Sequence, residues 1–447
     1  METTQTTQKM QTNRTITVGT TDSVSWTQST LLGLQHLLAM DVYVVPFIVA
    51  MMVGFSSGQS AILIQSTFIA AGVATIIQSG FLMKMPVAQG ASFIPIGAIA
   101  GITLANGGGM EGWGAAMGAS FVGAVLVTIL GFTGLFHKFI DSFVPSIVGG
   151  TIIFCVGLSL MPAAVNDNVY KSAVGTISQN IFLAVLTGTI MIISSILGSR
   201  LSKGGRLFRV ASVIIALITG SIVASFMGIL DLSSVAQAKW FSMPQLLFKD
   251  FTFTFNFSAI VTMLIIYVVL LAETTGTWLA VSNVTKTPLN RGYINRGVIG
   301  EGLGCIVASL LGTTPVTGYS SNAGIIAITG IASRRVFIAA GGLFIVFGLS
   351  GKLSALISTI PSAVIGGVFA LVCGVIAMSG FQIIKQTQIG QKEMYVISIP
   401  ILLIIALLYL PKDYLMSLPT MIHYLFSSPI AIASIAAIAL NKLLPAD

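Results

Sequence analysis

The sequence predicts an all-α polytopic membrane protein: fourteen transmembrane segments in a 7+7 inverted repeat, with short antiparallel strands in segments three and ten. Three observations predict it: a composition too poor in charge for a water-facing surface, a one-sided distribution of Lys and Arg, and a motif that recurs half a chain apart. Of 447 residues, 55% are hydrophobic and 8% are charged, and the mean hydropathy is +0.97. Soluble domains carry about 25% charged residues. The apolar runs suit helices crossing a hydrocarbon core roughly 30 Å thick, and the ten-residue alternation of a membrane β-barrel is absent.

The fourteen runs lie near 27–54, 58–82, 86–105, 113–135, 140–162, 177–199, 208–229, 257–283, 297–312, 315–331, 334–351, 360–381, 394–411 and 424–443. Ahead of them, residues 1–25 are polar, rich in Thr and Gln, and lack the apolar core of a cleavable signal. A disordered cytoplasmic tail is expected there. With the N-terminus inside, sixteen of the 21 Lys and Arg fall on inward segments. Only Lys171, Lys239, Lys249, Lys352 and Lys412 fall outside. That bias places both termini in the cytoplasm, and the plasma (cytoplasmic) membrane is the expected location. The net charge of +8 is spread over short loops, which argues against a nucleic-acid partner. Cys155, Cys305 and Cys373 all sit in apolar runs and read as small packing residues, not disulfides or metal ligands.

Segment five opens with Phe143-Val144-Pro145-Ser146-Ile147-Val148-Gly149-Gly150, and segment twelve with Ile360-Pro361-Ser362-Ala363-Val364-Ile365-Gly366-Gly367. Gly157 and Gly374 follow at the same distance from each Gly pair. Seven spans, an odd number, separate the copies, so the halves enter the membrane with opposite polarity, as in many secondary transporters.

Segments three and ten hold the breaks. Pro86 to Gly97 contains two prolines with Gly and Ser between them, and Gly312 to Gly330 contains Pro315 among Gly, Thr, Ser and Asn. Proline cannot donate a backbone hydrogen bond and disrupts a helix interior. Each segment is expected to start extended and end helical, with the two extended pieces paired. Non-helical backbone at membrane depth survives only where protein satisfies it or it lines a cavity. Each following half-helix would then turn its N-terminal amides toward a ligand.

Four acidic, basic or imidazole side chains fall inside spans more than two residues from an end: His36 and Asp41 in segment one, Glu273 in segment eight and Glu301 in segment nine. Charge at mid-bilayer costs at least about 2.5–3.5 kcal/mol and marks functional positions. Glu273 reads as a ligand anchor or proton carrier, with His36 as its expected partner. Glu301 either joins that site or pairs with Arg296 at the membrane edge. Asp41, five residues after His36, does not share its helix face. Asn322, with Ser320 and Ser321, forms a polar cluster at the break in segment ten, suited to capping and to ligand contact alike. Phe93, beside Ser92, either stacks on a flat ring or packs in the core.

At these residues the chain resembles the nucleobase–ascorbate transporter family, the nucleobase:cation symporters, over roughly residues 27–443. The tenth-span signature is matched by Asn322, Gly324, Thr329 and Gly330, and Ser321 departs from it. Gln35-His36, Gly90-Ala91-Ser92-Phe93, Glu273-Thr274-Thr275-Gly276 and Glu301-Gly302 match the first, third, eighth and ninth spans. The resemblance implies a core domain of segments 1–4 (27–135) and 8–11 (257–351). It implies a gate domain of segments 5–7 (140–229) and 12–14 (360–443), which carries a homodimer contact. It implies import of uracil, xanthine, urate or a related base by an elevator movement, with no cofactor or metal and a co-transported proton, or Na⁺ as the alternative.

Glu273 is then expected to accept from ring N–H groups, and the backbone near Phe93 and Ser320 to donate to exocyclic oxygens. His36 would orient Glu273 and share proton coupling with it and with Glu301. Glu301 and Asn322 would support the site from behind, as would Gln35, Gly276, Thr277, Gly324 and Thr329. Many relatives carry Gln or Glu at the position of Ser321 and Asp at that of Thr277, which leaves the preferred base open. An anion exchanger or channel-like carrier of the same fold is the alternative, although a buried Glu273 would repel anions. An intramembrane enzyme lacks support, since the three histidines show no His/Glu metal spacing.

Overall fold

The structure is a computed structural model that describes residues 16–40, 42–201, 211–244, 250–319 and 321–445. Asp41 and Ser320 lie outside the described residues. The first predicted segment, expected as one run, is two helices, α1 (Trp26–Ala39) and α2 (Val44–Met52). Pro46 accounts for the division. It has no N–H to offer the carbonyl of Val42, and its ring crowds that carbonyl, so one helix cannot pass through. Next comes α3 (Ser57–Thr75), which opens on a capping box between Ser56 and Gln59 and passes into a π-helical stretch at Ile76–Leu82. Strand β1 (Gln89–Ala91) leads to α4 (Ile96–Ala105). Then follow α5 (Gly109–Thr133), α6 (Phe136–Phe143), α7 (Ser146–Pro162, continued as a π-helix over Ala163–Tyr170), α8 (Ile177–Arg200), α9 (Ser212–Phe226) and α10 (Ser233–Gln237).

The second half begins with α11 (Phe257–Thr285) and α12 (Arg291–Leu310), followed by strand β2 (Val316–Gly318) and α13 (Ser321–Thr329). It ends with α14 (Arg334–Gly348), α15 (Gly351–Ser358), α16 (Ser362–Ile384), α17 (Gln391–Leu408), α18 (Lys412–Ser417), α19 (Thr420–Phe426) and α20 (Pro429–Leu443). Among the described residues, seven helices are long and apolar enough to cross a membrane, so the chain is a multi-pass membrane protein.

The helices sort by packing into two groups. In one, α1, α3, α5, α12 and α14 surround the two strands; in the other, α7, α8, α9, α16, α17 and α20 pack together. Helix α11 touches both groups. Within the second group α7 lies along α16, with Gly150 against Gly380 and Gly157 against Ala377. Earlier residues of one meet later residues of the other, so the two helices run antiparallel. A Cβ on Gly157 would stand 2.6 Å from the Ala377 amide nitrogen, which is why so small a residue is needed at this crossing.

The tail expected at residues 1–25 needs correction over its described part. Val18 bridges to Ile331, the Thr17 amide donates to the Gly330 carbonyl at 2.8 Å, and the Ala332 amide donates to the Val18 carbonyl at 2.9 Å. Gly330, with φ +72°, turns the chain out of α13 and presents that carbonyl to the tail.

Candidate functional site

Strands β1 and β2 pair antiparallel, with Gln89 opposite Gly318, Gly90 opposite Thr317 and Ala91 opposite Val316. The ladder extends at both ends: the Ser92 amide donates to the Pro315 carbonyl at 2.9 Å, and the Tyr319 amide donates to the Ala88 carbonyl at 3.0 Å. All six strand residues are buried, so this pairing satisfies backbone groups that neither water nor a helix could. Because the strands are antiparallel, α4 and α13 leave the ribbon from opposite ends. The Tyr319 ring lies over Gly90, where a Cβ would come within 2.6 Å of it, and its hydroxyl donates to the Ala91 carbonyl at 2.7 Å.

Helix α11 clamps the ribbon through residues three apart on one face. Thr277 Oγ1 donates to the Gly318 carbonyl at 2.9 Å, and the Gly318 amide donates to Thr274 Oγ1 at 3.3 Å. Neighbouring Glu273 is half-buried, and Ser92 Oγ donates to its Oε2 at 3.0 Å. The Ser92 hydroxyl also accepts from the Ile94 amide at 3.2 Å, which fixes its direction. The next residue, Phe93, stacks on Phe369 of α16 with centroids 5.9 Å apart and planes 16° from parallel. A ring from the strand side thus meets a ring from the second helix group, one residue after the serine that holds the carboxylate.

Glu301 is fully buried behind the ribbon, and Gln89 Nε2 donates to its Oε2 at 2.9 Å. The Thr274 and Thr317 side chains lie beside the same carboxyl. The pairing of Glu301 with Arg296 weighed from sequence is not what forms: Arg296 instead donates to the Gly292 carbonyl at 3.1 Å and lies over the Tyr293 ring.

The expected pairing of His36 with Glu273 is also replaced. His36 Nδ1 lies 2.9 Å from Asn322 Oδ1, and its ring packs on Phe337 with centroids 4.4 Å apart. Asn322 Nδ2 faces the Tyr319 carbonyl at 2.9 Å and the Ala88 carbonyl at 3.4 Å. Two acceptors on that side make Nδ2 the amide nitrogen, so Oδ1 faces His36 and Nδ1 carries the proton. Asn322 thus spends its polar atoms on bracing α1, α13 and the end of the ribbon.

The remaining predicted positions divide. Thr277 is in the clamp, and Thr329 Oγ1 ends α13 by accepting from the Ile331 amide at 3.2 Å. Ser321 and Gly324 are exposed, while Gln35 and Gly276 are half-buried. Sequence reasoning missed Gln89, Thr274, Tyr319 and Phe369. Gln89 had a usable signal, a lone amide in an apolar stretch, which needs a buried partner. Phe369 had none, because nothing local distinguishes it from a packing residue. Among the described residues, no group of three or more His, Cys, Asp or Glu could hold a metal ion. The arrangement offers a carboxylate acceptor, an aromatic face and the ends of two half-helices, which suits a small flat polar molecule.

Comparison with known proteins bears on the same residues. The chain is 30% identical to the nucleobase transporter PlUacP of Paenibacillus larvae over 92% of its own length and 93% of that protein's. It is 30% identical to the uric acid permease PucK of Bacillus subtilis, over 93% and 95%. The transmembrane domain of the cyanobacterial bicarbonate transporter BicA superposes with a TM-score of 0.62 at 15% identity, covering 95% of this chain and all of that one. That last likeness is one of fold. The Xan_ur_permease model, described as a permease family, matches residues 27–412, a span that takes in both strands, His36, Glu273 and Glu301, and the chain belongs to that family of transporters, not to an enzyme family.

Proposed function

We propose that the protein imports a nucleobase (uracil, xanthine, urate or a related purine or pyrimidine) across the cytoplasmic membrane in symport with protons. The observation that carries this is Glu273, held by Ser92, the residue before the stacked Phe93 in the first interrupted segment. A nucleobase edge carries N–H donors for the carboxylate and carbonyl oxygens for backbone amides, and its face suits the aromatic ring. The named functions of PlUacP and PucK point the same way. A carboxylate that accepts from the base, takes up a proton on one side of the membrane and releases it on the other couples the two fluxes. Sodium coupling is the alternative for the ion. A carrier of inorganic anions is disfavoured by Glu273, which unless protonated would repel a cargo that has no N–H group to offer it.

The movement we infer is an elevator, with the strand-bearing helices as core and the α7–α9, α16, α17 and α20 group as gate. The division by packing and the Phe93–Phe369 stack across it support this. The shorter helices and the strand–helix segments would complete fourteen spans in a 7+7 inverted repeat. In support, α7 and α16 begin on the same Pro-Ser motif and run antiparallel. The gate would also carry a homodimer contact, and both termini would be cytoplasmic. Uptake of radiolabelled uracil and xanthine into proteoliposomes, with and without an inward proton gradient, tests the reading. Accumulation should need the gradient and be abolished in Glu273→Gln. Near-normal accumulation by that variant would remove Glu273 from the site, and chloride or sulfate flux without uptake of any base would overturn the whole reading.

A further inference from the structure

Away from the candidate site, one cavity opens between the two helix groups. It measures about 410 Å³ and is lined by Ile265, Val268 and Val269 of α11, by α20 from Ser434 to Leu443, and by Phe143 of α6. Its walls are almost wholly apolar apart from one end. There the exposed Lys442 ammonium donates to Ser142 Oγ at 2.9 Å and stands over the Phe143 ring, 5.1 Å from its centroid. From Ser434 to Lys442 the helix rises ~12 Å, less than half of a hydrocarbon core of roughly 30 Å. The groove therefore matches one leaflet in length and polarity, with a cation at one end and hydrocarbon walls along the rest.

We propose that this groove binds an anionic glycerophospholipid, one acyl chain lying between α11 and α20 and the net negative headgroup, with no choline cation beside its phosphate, meeting Lys442. The charge pattern selects this occupant. A helix from a partner protein would need a wider face, and a nucleobase would find no polar partner along the walls. An aliphatic chain needs none, and the single charge demanded of its headgroup is the one Lys442 complements. The position also gives the lipid a consequence. Val269 lies one turn before Glu273 on α11, and α20 belongs to the other packing group. A chain wedged there fills the crevice that must change shape when the groups move.

The site can be tested without any transport measurement, so its failure and the failure of the proposed transport function are separate outcomes. Full-length protein purified in detergent is mixed with phosphatidylglycerol and phosphatidylcholine of matched acyl chains, and the first lipid retained is counted by native mass spectrometry. Wild type should retain phosphatidylglycerol severalfold over phosphatidylcholine. Lys442→Gln should bring the two to parity, and Lys442→Arg should restore the preference. Ala439→Phe, which fills the groove, should lose both lipids. Each variant is checked for a monodisperse peak, and should Ala439→Phe misfold, the Lys442 pair decides alone. Parity in wild type, or a preference unchanged in Lys442→Gln, overturns the proposal.

Discussion

At the scale of single residues, the site divides into groups that face a ligand and groups that hold the backbone. Asn322 belongs to the second kind, because its amide is used up by His36, Tyr319 and Ala88. Removing it leaves the His36 N–H and two carbonyls each a partner short, at a cost of about 1–3 kcal/mol for a buried group left unsatisfied. Asn322→Ala should therefore melt lower in detergent and bind base more weakly. His36→Ala added to it should cost little more, because the two residues share one bond. Additive losses in that double-mutant cycle would show that the pair does not act as a unit. Under the proposed function, Phe369 is the counterpart that would face the base. A base that takes the place of Phe93 against this ring would gain a stack worth about 0.5–1.5 kcal/mol beyond area, so Phe369→Leu should raise the KM for base uptake by up to roughly tenfold. Maximal velocity should hold, since Glu273 is untouched. An unchanged KM would return Phe369 to mere packing.

At the scale of elements, the ribbon and α11 form the frame of the site. Gly90 is its tightest point, because a Cβ there would strike the Tyr319 ring, and that ring cannot swing away without breaking its bond to Ala91. Gly90→Ala should destabilise by about 1–3 kcal/mol, as overpacking does. Tyr319→Leu in the same chain should recover part of that, which melting curves of the two variants would read. Much of this frame was legible in the sequence for local reasons. Pro86, Pro95 and Pro315 mark where a helix cannot continue, and the glycines between them mark where backbones approach. The break between α1 and α2 was equally local, written at Pro46, and was passed over because the surrounding run is apolar on both sides. What local pattern could not show were partners remote in the chain. His36 and Asn322 are 286 residues apart, and Gln89 and Glu301 are 212 apart. Hydrophobic periodicity places a residue on a face but does not say which distant face it meets.

At the scale of the whole molecule, the repeat makes a claim about topology that packing alone does not settle. The two copies of the Pro-Ser…Gly-Gly motif open α7 and α16, and these helices run antiparallel in contact. If the halves are inverted across the membrane, the loop after α7 must lie on the opposite side from the loop after α16. The chain is well suited to the measurement, because Cys155, Cys305 and Cys373 are all buried and should stay silent to a membrane-impermeant maleimide. Ala173, in the loop after α7, and Gln388, in the loop after α16, are both exposed. In intact cells Ala173→Cys should label from outside, while Gln388→Cys should label only after the membrane is opened. Lys138→Cys, at a position exposed on α6 just before the first copy, should behave as Gln388→Cys does, since one crossing separates it from Ala173. Labelling of Ala173→Cys and Gln388→Cys from the same side would mean an even number of crossings between the copies. The inverted repeat would then fall, and with it the elevator built on two mirrored halves.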